Sequence, residues 1–398
     1  MELSRVVLGI LSGLLVAALV RALAARWWPR ARWSVHLSAG LLVGVLAGAW
    51  VSQMEGGYLA YLVTFCIMAG IYGVFSLGLN VQWGYTGLFN IGIAGFFALG
   101  AYTSALITTR KPPPEVWFYF KQAIGLDQPF LVGLIGAALV CGLVALLLGL
   151  LTLRLREDYL AIATIGVAET IRILFNSEEW LANGSQGLIG IPRPLACLIQ
   201  NPPCAWLPDW AKPLVAGWTA RDLDAIYLVI VVLALAALYW AVEQGIRSPW
   251  GRVLRAIRED EMATSMAGKN VFGFKLQSLV LGAMIMGIGG GLYAHYMRSI
   301  SPDVFVPLFG TFIIWAMVMV GGSGNNKGAI LGGLIVWGIW IGTTFLTDLI
   351  SPLLGAISPE LPARAPYFRY LLLGALLVLV ILLRPQGLLG EEKQVSKL

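Results

Sequence analysis

Apolar runs of about 17–24 residues recur along this chain, and a run of that length is what an α-helix needs to cross a hydrocarbon layer about 30 Å thick. No soluble core asks for so many. Of 398 residues, 58% are hydrophobic and only 12% are charged, against about 25% in soluble domains, and the mean hydropathy is +0.80. The expected fold class is all-α integral membrane, a polytopic helical bundle; a β-barrel would show short segments of alternating polarity instead. The spans read as Val6–Leu23, Ser34–Val51, Tyr58–Leu79, Ile91–Thr109, Phe130–Leu153, Leu160–Asn176, Ala225–Val242, Leu276–Arg298, Val304–Val320, Ala329–Leu346 and Tyr367–Leu383, about eleven transmembrane helices in all. A glycine count of 47 suits helices that approach closely through small residues.

Basic residues orient these spans. Arg26, Arg30 and Arg32 mark one connection, Arg154 and Arg156 a second, the Arg-rich stretch at 252–258 a third, and Arg384, Lys393 and Lys397 the tail. Alternation across the spans places all four on one side, which the positive-inside bias makes cytoplasmic, with the N-terminus outside and the C-terminus inside. The same bias accounts for the net charge of +6, so no nucleic acid is implied. The first apolar run follows Arg5 and closes at Arg21 and Arg26 without a small-residue cleavage site, and it reads as a retained helix.

The most charged stretch is SPWGRVLRAIREDEMATSMAGKN, Ser248–Asn270. Ser248 is placed to cap a helix, and Pro249 at its first position loses an N–H that would have no partner there. Arg252, Arg255 and Arg258 recur every three residues along one face, Val253, Ala256 and Ile257 have the spacing of an apolar face, and Gly268 is a stop. The pattern predicts an amphipathic helix at the membrane surface between two spans. A passive anchor among lipid headgroups is the commoner role of such a helix, and spacing alone does not decide against it.

Two connections depart from simple loops. NVQWGYTGLFN, Asn80–Asn90, is uncharged and interrupted by Gly84 and Gly87. It is either a tight interfacial turn or the kind of broken backbone tolerated at membrane depth where it lines a cavity. The segment from Ser177 to Asp224 is rich in Pro and Gly and carries Cys197 and Cys204; on a non-cytoplasmic face they are disulfide candidates, and spacing leaves two free thiols equally open.

Charges inside spans need a reading, because they are expensive there. Glu169 and Arg172 have the spacing of a pair on one helix face, or else face a polar pathway. His295 and Arg298 are expected to snorkel to the outer interface, and His36 to be structural. Chemistry is otherwise missing from the pattern: no His, Cys and carboxylate cluster has metal-ligand spacing, and GGSGNNKG at Gly321–Gly328 lacks the Gly before Lys327 and the Ser or Thr after it that a phosphate loop needs. It reads as a turn between two spans. Any ATP that drives uphill transport must be hydrolysed by another chain.

Gly78–Leu106, Asp158–Pro194, the Ser248–Asn270 stretch and Lys275–Gly333, the last with MGIGGGLYAHY and VGGSGNNKGAILGG, together resemble the branched-chain amino acid ABC transporter permeases, the M-type subunit more than its H-type partner. The resemblance covers roughly residues 58–390 and leaves 1–57 as an N-terminal extension with two spans and 391–398 as a cytoplasmic tail. It implies an internal repeat of two related bundles in the inner membrane, a second, H-type permease, two cytoplasmic ATP-binding subunits and a periplasmic substrate-binding protein. It implies no cofactor on this chain, since the partner subunits bind the ATP.

The 248–270 stretch would then be the coupling helix that docks into a cleft on the ATPase. The family pattern of an acidic residue, a small pair and a Gly falls on Glu261, Ala263 and Gly268, with Thr264 where a second Ala is usual. Arg252, Arg255, Arg258, Glu259 and Asp260 would add charge complementarity. Asn80, Gly84, Tyr85, Thr86, Gly87, Asn90 and Glu169 become candidates for the substrate pathway, with Asn80, Thr86 and Asn90 offering hydrogen bonds to a passing zwitterion. Alternatives of the same family carry urea or short-chain amides. An ion-coupled secondary transporter would use Glu169 as its ion site, and a membrane enzyme lacks the residues for chemistry.

Overall fold

The computed structural model describes residues 56–112, 122–155, 157–199, 204, 212, 218–358, 360–364 and 367–390. The first two expected spans, His36, Arg26, Arg30, Arg32, Arg156, Lys393, Lys397 and the tail at 391–398 lie outside the described residues. Each expected span from Tyr58 onward has its helix. They are α1 (Gly56–Leu79), α2 (Ile93–Thr108), α3 (Phe130–Thr152), α4 (Glu157–Ser177) and α5 (Ala220–Arg247). Two short helices, α6 (Pro249–Glu259) and α7 (Glu261–Met266), precede α8 (Val271–Met297), α9 (Ile313–Gly321), α10 (Asn326–Ile357) and α11 (Phe368–Leu383). Among the described residues, 6 helices are long and apolar enough to cross a membrane, and Ile93–Thr108, Phe309–Gly321 and Phe368–Leu383 are shorter apolar helices. Two short strands, β1 (Leu188–Ile189) and β2 (Ser299–Ile300), pair antiparallel.

The chain divides into two compact units, Met1–Ile67 with Leu195–Val232 and Met68–Pro194 with Leu233–Leu398. In the first, Cys197 and Cys204 are joined as a disulfide, and buried Leu198 and Cys204 have Trp218 and Ile226 packed against them.

In the second, α8 is the central helix, with α2 and α3 laid against it. The run GIGGGL in α8 exists for this contact: a Cβ on Gly287 would meet the Ala137 carbonyl at 2.7 Å, and one on Gly290 would meet the Phe97 carbonyl at 2.5 Å. Backbone cannot yield as a side chain can, so only glycine permits the approach. At the far end of α8, His295 corrects the expectation of a snorkelling side chain. It is fully buried, with Nδ1 2.7 Å from the Pro192 carbonyl and Nε2 3.0 Å from the Ser104 hydroxyl. Nδ1–H donates to that carbonyl, which leaves Nε2 to accept from Ser104. A ring with both nitrogens matched by fixed partners has no reason to reach for the interface. Arg298 alone is exposed, closing the helix in a left-handed conformation.

Candidate functional site

The charged stretch folds as two helices rather than one. Ser248 caps α6 by accepting from the Trp250 amide at 3.2 Å, with Pro249 at the first helical position. The expected continuation to Gly268 fails at Asp260, which is extended (φ −154°) and whose carboxylate accepts from the Ala263 amide at 2.9 Å. An acidic side chain that can cap a new helix competes with continuing the old one, and here it wins. Gly268 still ends the second helix, with φ +77°. Glu261 forms an ion pair with Lys275 on α8, tying α7 to that span.

Three arginines spaced by three do not share a face. Each step turns the helix by 300°, so the row drifts about 120° over two steps. Arg252 is exposed; Arg255 lies over the Tyr85 ring, 5.7 Å from its centroid; Arg258 donates to the Gly84 carbonyl. The inner face buries Gly251, Leu254 and Ile257, and Leu254 packs with Tyr85 and Ile246. The outer face leaves an open groove of about 570 Å³, bordered by Arg252, Val253, Ala256, Ala263 and Ala267. Met262 and Met266 stand exposed on α7.

The break after α1 is where this surface element meets the bundle. α1 continues through a π turn at Asn80–Gly84, and the chain becomes helical again only at Ile93. Asn80 is completely buried: its amide donates to Asn326 Oδ1 at 3.0 Å, and its Oδ1 accepts from the Gly324 amide at 2.9 Å. Asn326 in turn donates to Glu243 at 2.8 Å. Gln82 donates to the Leu279 carbonyl and accepts from Asn90, each at 2.8 Å, while Thr86 donates to Ser278 Oγ at 2.7 Å. Asn90 Oδ1 accepts from the Gly92 amide at 2.8 Å. Asn80, Thr86 and Asn90, offered by the sequence to a substrate, are therefore committed inside the chain. Gly87, with φ +77°, places its turn against the Arg258 side chain. Burial raises the Tyr85 phenol above its ordinary pKa, Glu243 adds to the shift, and Arg255 opposes it.

Glu169 stands apart from this cluster, on α4. Arg172 Nε donates to both of its oxygens, at 3.1 and 3.0 Å, so the pair that the spacing offered is formed. Among the described residues no group of three or more His, Cys, Asp and Glu is placed to hold a metal ion.

A family described as branched-chain amino acid transport system / permease component matches residues 61–381. Among known proteins, the high-affinity branched-chain amino acid transport system permease protein LivM of Escherichia coli is 31% identical over 360 residues, 89% of this chain and 75% of that protein. The guanosine ABC transporter permease protein NupQ of Bacillus subtilis is 26% identical over 306 residues, 76% and 84% of the two chains. The permease protein LivH of Salmonella typhimurium, from a high-affinity branched-chain amino acid system, is 23% identical over 330 residues, 82% and 93%. No solved structure matches.

Proposed function

This chain belongs to the branched-chain amino acid transport permease family, and from that premise we propose that it is a membrane-spanning subunit through which an ATP-driven importer passes branched-chain amino acids. It is a multi-pass inner-membrane transport subunit. ATP is hydrolysed by two cytoplasmic partner subunits, a second, H-type permease completes the pathway, and a periplasmic binding protein delivers the substrate. The α6–α7 surface lies on the cytoplasmic side, as the basic connections argue, and its groove takes the ATPase. Glu259, Asp260 and Glu261 with exposed Arg252 give that contact its charge pattern, and Ala263 and Gly268 allow close approach.

The observation that carries this reading is the bond from Arg258 to the Gly84 carbonyl. One residue of the surface helix grips the break between two spans, and Arg255 covers the neighbouring Tyr85 ring. A push on α6 is thereby delivered to Asn80–Asn90 and through its hydrogen bonds to α8 and the start of α10. The broken segment acts as a lever of the pathway, with its polar groups holding it to the spans. The ion-coupled alternative would want a free carboxylate, and Arg172 holds Glu169 by both oxygens.

The test is Arg258→Ala in the complex reconstituted in liposomes. ATP hydrolysis should continue while amino acid uptake per ATP falls about tenfold or more, the scale of one lost charge-assisted hydrogen bond. Unchanged coupling in that variant would remove the lever.

A further inference from the structure

α4 carries charge where a membrane helix seldom does. Its 21 residues start at Glu157, so Glu169 and Arg172 stand about 18 Å and about 23 Å along it, and the side chains of Arg172 and Glu169 are 23% and 38% exposed. The face around them shows Ile165, Gly166, Thr170 and Ile173, and a Cβ on Gly166 would meet nothing within 4 Å. Lipid tails over an ion pair are costly; water in a pathway is not.

Two further features ask for a ligand. The turn Pro302–Phe305 packs on α4, and its exposed Asp303 lies within electrostatic reach of Arg172. The cluster therefore holds two carboxylates against one guanidinium. Beside it Tyr102 is completely buried, stacked on Phe175 with centroids 4.1 Å apart and 5.6 Å from the Phe305 ring. Its hydroxyl is also within electrostatic reach of Asp303 but has no hydrogen-bond partner among the described residues. A buried hydroxyl in that state calls for an explanation, and a transient ligand supplies one.

We infer that Glu169, Arg172 and Asp303 form a station that reads the zwitterionic head of an α-amino acid, with Arg172 taking the carboxylate, the two acids taking the ammonium and Tyr102 supplying a further donor. This rests on the importer reading and gives it a chemical selector. A solute that lacks either charge leaves one side of the cluster unmatched, and polar groups left unmatched are what reject it. Arg172 uses Nε and Nη2 on Glu169, and the Nη1 edge remains for a carboxylate.

The experiment uses the whole complex in liposomes, with L-leucine uptake and binding-protein-stimulated ATP hydrolysis measured together. Arg172→Gln and Asp303→Asn should each lower leucine uptake by about tenfold or more, the scale of one charge-assisted contact, while stimulated hydrolysis persists and reports an assembled complex. The double variant Glu169→Arg/Arg172→Glu restores the pair in reverse order and should stay defective; it also decides the matter if Arg172→Gln fails to assemble. Full uptake by the reversed pair would make the role purely structural and overturn the station, as would normal uptake by Arg172→Gln. A wild-type complex that carries guanosine and no amino acid overturns the importer reading itself, and the station with it.

Discussion

At Gly84 a single methyl group has nowhere to go. A Cβ there would lie 2.0 Å from Asn80 Oδ1 and 2.7 Å from the Gly324 amide nitrogen, the two atoms whose hydrogen bond pins the break to the loop before α10. Gly84→Ala should therefore separate them and leave a buried donor and acceptor unmatched, a loss of about 1–3 kcal/mol. The expected sign is a thermal midpoint several degrees lower in detergent, and an unchanged midpoint would contradict the contact. The sequence picked out Asn80, Thr86 and Asn90 because they are uncharged polar groups in a Gly-interrupted run. It could not show that Asn80 bonds Asn326, 246 residues on, or that Thr86 bonds Ser278, 192 residues on. The second asparagine of GGSGNNKG is one of those partners, hidden in a motif that reads as a turn once the phosphate loop is set aside. Likewise nothing local marked His295 as buried; its acceptor is the carbonyl of Pro192 in another connection.

Among the elements, α6 and α7 work as two pieces because Asp260 divides them. Asp260→Ala removes the cap on the Ala263 amide and should cost about 0.5–2 kcal/mol of local stability. Amide exchange over Glu261–Met266 should quicken accordingly, with α6 unaffected; exchange that is unchanged would mean the break has another cause. The start of the stretch at Ser248 and its stop at Gly268 were legible from residue type and spacing; of the expected apolar face only Ile257 is buried, while Val253 and Ala256 border the outer groove. The division at Asp260 was not, because an aspartate between charged neighbours reads equally as a solvated helical face. The arginine row misled for a geometric reason: a period of three is close to the helical repeat without equalling it, so two of the three turn inward to Gly84 and Tyr85.

For the whole molecule, the apolar runs fixed the order of spans from Tyr58 onward, since hydrocarbon thickness demands a length that few other folds need. Gly84 and Gly87 marked the break at Asn80–Asn90; what the apolar runs could not convey is that the surface helices meet the bundle there. On the proposed reading, the groove along α6 and α7 receives an ATPase, and work enters the pathway there. The most direct measurement places a cysteine at Ala263, in the groove, and applies a short thiol cross-linker to membranes containing the assembled complex. A cross-link to the ATP-binding subunit is expected, with a yield that changes with nucleotide. Labelling of Ala263→Cys from outside intact cells, or no cross-link in a complex that still transports, would contradict it.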